Sequence, residues 1–217
     1  MKKLSICIVS DADSWITPYV EKLAEELQAM EHNVICRHDF DVKRAYDLCF
    51  LLSFSKIISA RNLQRNKHNL VVHESALPKG KGWSPLTWQI LEGKNCIPIT
   101  LFEATAKVDA GQIYLQEKMH FKGTELVQDL RHVQGTMTQR LCLEFVRRYP
   151  AILQTAKAQD GEATFYPRRR PADSCMDLDK PLRTQINLLR VVDNERYPAF
   201  FDYEGERYYL AIYQRKA

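Results

Sequence analysis

The chain has 217 residues, 45% of them hydrophobic, and a formal net charge of +4. That length suits one α/β domain with at most a small appendage, and the composition excludes a disordered or fibrous chain. So mild a charge favours anionic ligands such as phosphates without arguing for nucleic acid, and no window has the apolar length of a membrane span.

Residues 4–10 (LSICIVS) are a short, β-branched apolar run, the pattern of a buried strand. The start mimics a secretory signal, but the run is short and Asp11 and Asp13 follow at once, so a cytoplasmic protein is expected. Ile16, Tyr19, Val20, Leu23, Leu27 and Met30 fall at helical spacing with Glu21, Glu25 and Glu26 on the other face, which predicts an amphipathic helix over 15–30. Strands are predicted over 33–37 and 46–52, a helix over 55–62, and a strand over 70–72 that ends at His73. This alternation predicts a mostly parallel sheet flanked by helices, with ligands at the carboxyl ends of the strands.

Next come a Pro/Gly-rich loop over 78–85, a helix over 86–91 stopped by Gly93, and a strand over 97–102. The Asp109-Ala110-Gly111 turn leads into 112–116, and a long helix over 124–148, capped by Thr124, ends at Tyr149-Pro150. The polar stretch 156–174 carries Gly161, Pro167, Pro171 and the run Arg168-Arg169-Arg170. It divides an α/β domain over 1–150 from an appendage over 151–217. In the appendage a short helix over 186–192 precedes a β-hairpin, 199–203 and 207–213, turning at Glu204-Gly205.

His73 at a strand end, the glycine-bent loop and Asp109 are the candidate acid/base group. A histidine needs a carboxylate partner to set its tautomer and charge, and glycine lets a ligand approach the backbone closely. Other chemistries lack their residues. The six cysteines form no C-x-x-C pair and read as buried free thiols. His68 and His73 have no spaced third ligand for a metal. No G-x-G-x-x-G follows the first strand, and no G-x-S-x-G elbow is present.

His73, Ser75, Leu77, Pro78, Gly82, Pro85, Trp88, Gly93, Asp109 and Gly111 match, in order and spacing, the pattern N-x-H-x-S-L-L-P-x-x-x-G-x-x-P followed by a tryptophan helix and D-x-G. The chain therefore resembles the folate-dependent formyltransferases over roughly 1–145. YPRRRPADS, NLLRVVDNERYPAFF and the hairpin resemble the carboxyl-terminal part of the sugar-nucleotide N-formyltransferases. The resemblance implies a Rossmann-like formyltransferase fold and transfer of a formyl group from 10-formyltetrahydrofolate to a primary amine. His73 would stabilise the oxyanion and assist proton transfer, with Asp109 tuning it. Phe54, Ser55, Lys56, Ile57 and Ile58 would face the pterin, with Thr105 and Val108 in the opposite wall over 104–108.

One position departs. The family has Asn two residues before the histidine, and this chain has Val71. Either Asn69, Ser75 or a backbone N–H of the glycine loop substitutes, or the chain is slow or inactive. For the acceptor, too few residues follow the long helix for the β-barrel of the tRNA enzymes, and the purine enzyme lacks the aromatic hairpin. That leaves a UDP- or dTDP-linked amino-deoxysugar of surface-glycan (lipopolysaccharide O-antigen) synthesis. Lys79, Gly80, Lys81, Gly82, Trp83, Ser84 and Pro85 would touch it, and Arg168, Arg169 and Arg170 would meet a diphosphate, the alternative being a solvated basic loop. Asn187, Arg190, Asn194 and Tyr197 are further candidates, or docking surface. The hairpin aromatics would pair two subunits or pack on the core. Formylation of another amine, and a non-catalytic homologue that binds folate or a nucleotide sugar, are the competing readings.

Overall fold

The computed structural model describes residues 2–41 and 43–215. Its centre is a six-stranded sheet built from β1 (Ser5–Val9), β2 (Asn33–Arg37), β3 (Leu48–Leu51), β4 (His68–His73), β6 (Cys96–Glu103) and β7 (Ile113–His120), in the order β2-β1-β3-β4-β6-β7. Pairings among β2, β1, β3 and β4 are parallel, whereas β6 runs antiparallel to both β4 and β7. The sheet is mostly parallel, as expected. β6 alone is reversed: the chain between β4 and β6, although it carries a helix, returns β6 antiparallel to β4, and a loop without a helix joins β6 to β7.

Helices α1 (Thr17–Ala29) and α4 (Val127–Arg148) lie against the sheet. Leu23, Leu27, Phe50, Leu70, Leu101, Leu141 and Phe145 pack in one core between them, each full burial contributing roughly 1.5–3 kcal/mol. No helix among the described residues is long and apolar enough to cross a membrane.

Several expected elements differ. The helix over 55–62 reduces to α2 (Ala60–Leu63), because Phe54 and Ile58 turn inward onto the β1–β3 cluster and hold the preceding segment irregular. Thr124 does not cap α4. The Glu125 carboxylate instead accepts the amides of Lys122, Gly123 and Thr124 at 2.6, 2.9 and 3.1 Å. Cys7, Cys49 and Cys142 are buried, but Cys36, Cys96 and Cys175 are exposed, the first on the edge strand β2.

Chain beyond Pro150 lies back on the sheet and loops. A two-residue strand, β5 (Lys81–Gly82), pairs in parallel with β8 (Phe165–Tyr166). Helices α3 (Pro85–Leu91) and α5 (Leu182–Val191) are in contact. The hairpin β9 (Ala199–Tyr203) and β10 (Glu206–Leu210) buries Ala199 and Phe200 but leaves all of β10 exposed.

Asp47 fastens the start of β3 to β1, accepting from both the amide and Oγ of Ser5 at 2.8 Å. Its ion pair with Lys67 and these hydrogen bonds hold its pKa down at about 2, against an ordinary 3.8. A depressed carboxylate stabilises the fold above its unfolded pKa and ceases to do so as pH falls through the folded value. Allowing for water around the more exposed Lys67, Asp47→Asn should cost about 1 kcal/mol at pH 7. Urea denaturation should find that difference gone near pH 2.

Candidate active site

His73 closes β4 at its carboxyl end, with its side chain 8% exposed. The ring nitrogen Nε2 is 2.8 Å from the Gly80 carbonyl oxygen. A carbonyl only accepts, so Nε2 carries the proton, and in the neutral ring Nδ1 is the basic nitrogen. Asp109 Oδ2 stands 3.9 Å from Nε2. Asp109 is itself fixed by the Gly82 N–H, 2.9 Å from Oδ2.

The backbone around Asp109 is forced. Its φ is 49°, in the left-handed region that Asp tolerates better than most residues. Gly111 packs so tightly that an added Cβ would lie 1.7 Å from the Glu103 carbonyl oxygen. Gln159 Nε2 donates to the carbonyls of Asp109 and Gly111, both at 2.9 Å.

The glycine loop is likewise held by the later chain. Gly80 N donates to Thr164 Oγ1 at 2.8 Å, Lys81 N to the Thr164 carbonyl at 2.9 Å, and Trp83 N to the Tyr166 carbonyl at 3.1 Å. At Gly82, with φ 96°, a Cβ would lie 2.4 Å from the Tyr166 oxygen. The glycine expected to admit a ligand instead admits β8.

These residues open on a cavity of about 670 Å³, the size of a small-molecule site. His73, Asp109, Phe54, Ser55, Lys56, Ile57, Ile58, Thr105 and Val108 line it, with Gly82, Trp83, Ser84, Pro85, Tyr197 and all three arginines. The Arg168 guanidinium lies 4.7 Å over the Trp83 ring, and that of Arg169 5.9 Å over Trp88. Burial lowers the Arg169 pKa, partly offset by Asp173, so a bound anion would relieve its charge.

Other expected residues point elsewhere. Asn69 is buried, its amide accepting from Asn66 at 2.8 Å and donating to the Leu63 carbonyl at 2.8 Å. Ser75 has a buried Oγ without a partner and is off the cavity wall. Lys79 is exposed on the loop's outer side, Gly80 contributes its carbonyl to His73, and Lys81 is buried in the β5–β8 pair. Arg190, 1% exposed, donates to Asn187 Oδ1 and the Glu125 carbonyl, which consumes both Asn187 and Arg190 inside the fold. Asn194 grips the backbone of Ile212 in both directions.

A model of the formyl transferase family matches residues 7–141, more than half of the chain. The chain belongs to this family. Solved structures agree in fold. A methionyl-tRNA formyltransferase from Clostridium thermocellum superposes with a TM-score of 0.80 at 21% identity, over 98% of this chain and 94% of the other. A sugar N-formyltransferase from a Shewanella species gives 0.73 at 14%, over 98% of both chains. HypX from Aquifex aeolicus, in complex with tetrahydrofolic acid, gives 0.76 at 18%, over 95% of this chain and 37% of that one. A structure bearing the tRNA enzyme's name and matched over nearly its whole chain removes the force of the argument from tail length.

Sequence reasoning missed the Gln159 clamp, and it missed Glu74, Gln134, Arg131 and Asp193 on the cavity wall. Glu74 directly follows His73, at a position that the motif leaves unrestricted; the others come from distant segments and carry no local signal. Gly111→Ala should lower stability by about 2 kcal/mol or more, since backbone rather than a flexible side chain must move. Thermal unfolding checks this, and a melting temperature equal to wild type would contradict the packing described.

Proposed function

We propose that the chain transfers a formyl group from 10-formyltetrahydrofolate to the primary amine of a nucleotide-linked amino-deoxysugar. One observation carries the chemistry: an imidazole and a carboxylate 3.9 Å apart on one cavity wall. The donor would supply the formyl carbon as electrophile and its own nitrogen as leaving group.

The residues fit that donor. Ile57 is 78% exposed beside the cavity, an apolar surface for a flat ring, with Val108, 48% exposed, also on the wall. Among the described residues, the backbone N–H groups of Lys56 and Ile57 have no protein acceptor and remain for the polar edge of such a ring. His73 is the hydrogen-bond donor for the negative oxygen that develops as the amine attacks, and Asp109 orients it. Gly82 keeps Asp109 from swinging away.

The acceptor reading rests on charge and shape. Arg168, Arg169 and Arg170 give one wall a concentration of guanidinium groups, suited to bidentate contact with a diphosphate. Trp83, 37% exposed beneath Arg168, offers a flat face at the same wall. Tyr197 completes it near the Arg131–Asp193 pair, joined at 2.7 Å.

Asp109→Asn should lower kcat about a hundredfold, with donor affinity and melting temperature near wild type. Wild-type turnover in that variant would remove Asp109 from the chemistry. Arg168→Ala should raise the acceptor KM severalfold and leave donor affinity alone. The acceptor is tested with the donor and a panel of UDP- and dTDP-linked amino sugars, free amino sugars and methionyl-tRNA, read as mass gain of one formyl group. Gain on a nucleotide-linked sugar is expected; gain only on another acceptor, or on none, rejects the assignment.

A further inference from the structure

Formyl transfer moves one proton along with one carbon. A primary amine loses a proton on becoming a formamide, and the donor nitrogen gains one on leaving. The site therefore needs a group that first accepts and then gives back. His73, its Nε2–H on the Gly80 carbonyl at 2.8 Å, is already assigned to the developing oxyanion, so it does not also take the amine's proton. Asp109 accepts from Gly82 at 2.9 Å, Asp193 is paired with Arg131 at 2.7 Å, and Asp11 accepts the Ser55 amide at 3.2 Å.

Glu74 is the other acidic residue on this wall. It makes no ion pair with a Lys or Arg side chain among the described residues, and His73 is the neighbouring group that acts on its charge. Its Oε1 accepts a neutral hydrogen bond from Gln134 Nε2 at 2.7 Å. Its backbone is fixed as well, because Gln89 Nε2 donates to the Glu74 carbonyl at 2.6 Å and Ser75 N returns to the His73 carbonyl at 2.9 Å. A carboxyl held by an amide, unpaired and facing a cavity, is costly to keep as structure alone. In the pattern that carries the family resemblance this position is unrestricted.

We propose that Glu74 is a catalytic base of this site, taking the proton from the attacking amine and returning it to the departing donor nitrogen. The proposal rests on the formyl-transfer reading above and adds to it the path of the proton. The amine nitrogen bonds to the formyl carbon while the carbonyl pair moves onto oxygen, beside His73. The nitrogen's proton passes to the Glu74 carboxylate. The oxygen pair then re-forms the carbonyl, the bond from carbon to the donor nitrogen breaks, and that nitrogen takes the proton from Glu74. Nothing is oxidised or reduced, and the carboxylate is regenerated. Burial pushes the Glu74 carboxyl above its ordinary range, against the opposing effect of His73. Gln134 keeps the carboxyl aimed.

The full chain is assayed as wild type, Glu74→Gln and Glu74→Ala, following tetrahydrofolate release with water as acceptor and formyl transfer to the amine panel. Donor affinity and melting temperature are measured in parallel. Glu74→Gln, which preserves size and hydrogen bonding, should slow turnover about a hundredfold without changing donor affinity more than twofold. Added acetate should restore Glu74→Ala at least tenfold and leave Glu74→Gln unrestored, which a merely structural role would not produce. Turnover of Glu74→Gln within threefold of wild type, or no rescue of a folded Glu74→Ala, overturns the assignment. Tetrahydrofolate release that depends on Glu74 without transfer to any nucleotide sugar upholds Glu74 and rejects the acceptor. A wild type that turns over neither water nor any amine rejects both.

Discussion

The hydrogen bond from the Gly82 amide to the Asp109 carboxylate is the contact on which the site depends. It joins two loops 27 residues apart in sequence, and it keeps a negative charge 3.9 Å from a ring that has already committed one N–H to Gly80. Without it, Asp109 would sit in a left-handed turn free to face water, away from the His73 ring. Charge stabilisation in such a site works because the groups are already placed before the reaction begins.

What holds that contact lies outside the matched family segment. Thr164 and Tyr166 bind the backbone on either side of Gly82, and Gln159 ties down the turn on either side of Asp109. Trp88, stacked on Tyr166 and bonded to the Pro167 carbonyl at 2.9 Å, anchors the same stretch to α3. The segment that delivers the arginines to the cavity is thus the one that locks the loop carrying Gly82, so the His73–Asp109 pair and the arginine wall share one mechanical support.

Much of this was legible in the sequence, for identifiable reasons. Strands with β-branched apolar runs, such as 33–37, stand where periodicity puts them, and His73 and Asp109, which the motif resemblance singles out, stand 3.9 Å apart on one cavity wall. Direction of β6 and β7 was not legible, because a strand's own residues do not encode the sense of its neighbour. Nor was the fate of polar side chains. Asn69, Asn187, Arg190 and Asn194 look like site residues in a sequence, yet each satisfies a buried or half-buried partner within the fold. Whether a polar group faces a ligand or its own chain is decided by how the chain folds around it, here by partners 3 to 18 residues away for the three asparagines and 65 away for Arg190. Gln159 and Gln134 carry no local signal for the same reason, and Glu74 occupies a position that the motif leaves unrestricted.

The most direct measurement is a crystal structure with 10-formyltetrahydrofolate bound. The account predicts the pterin against residues 54–58 and the formyl carbon about 3–3.5 Å from the groups that act on it, between His73 and Glu74, with Asp109 still on the Gly82 amide. A donor bound outside this cavity, or His73 and Asp109 turned apart around it, would contradict the account.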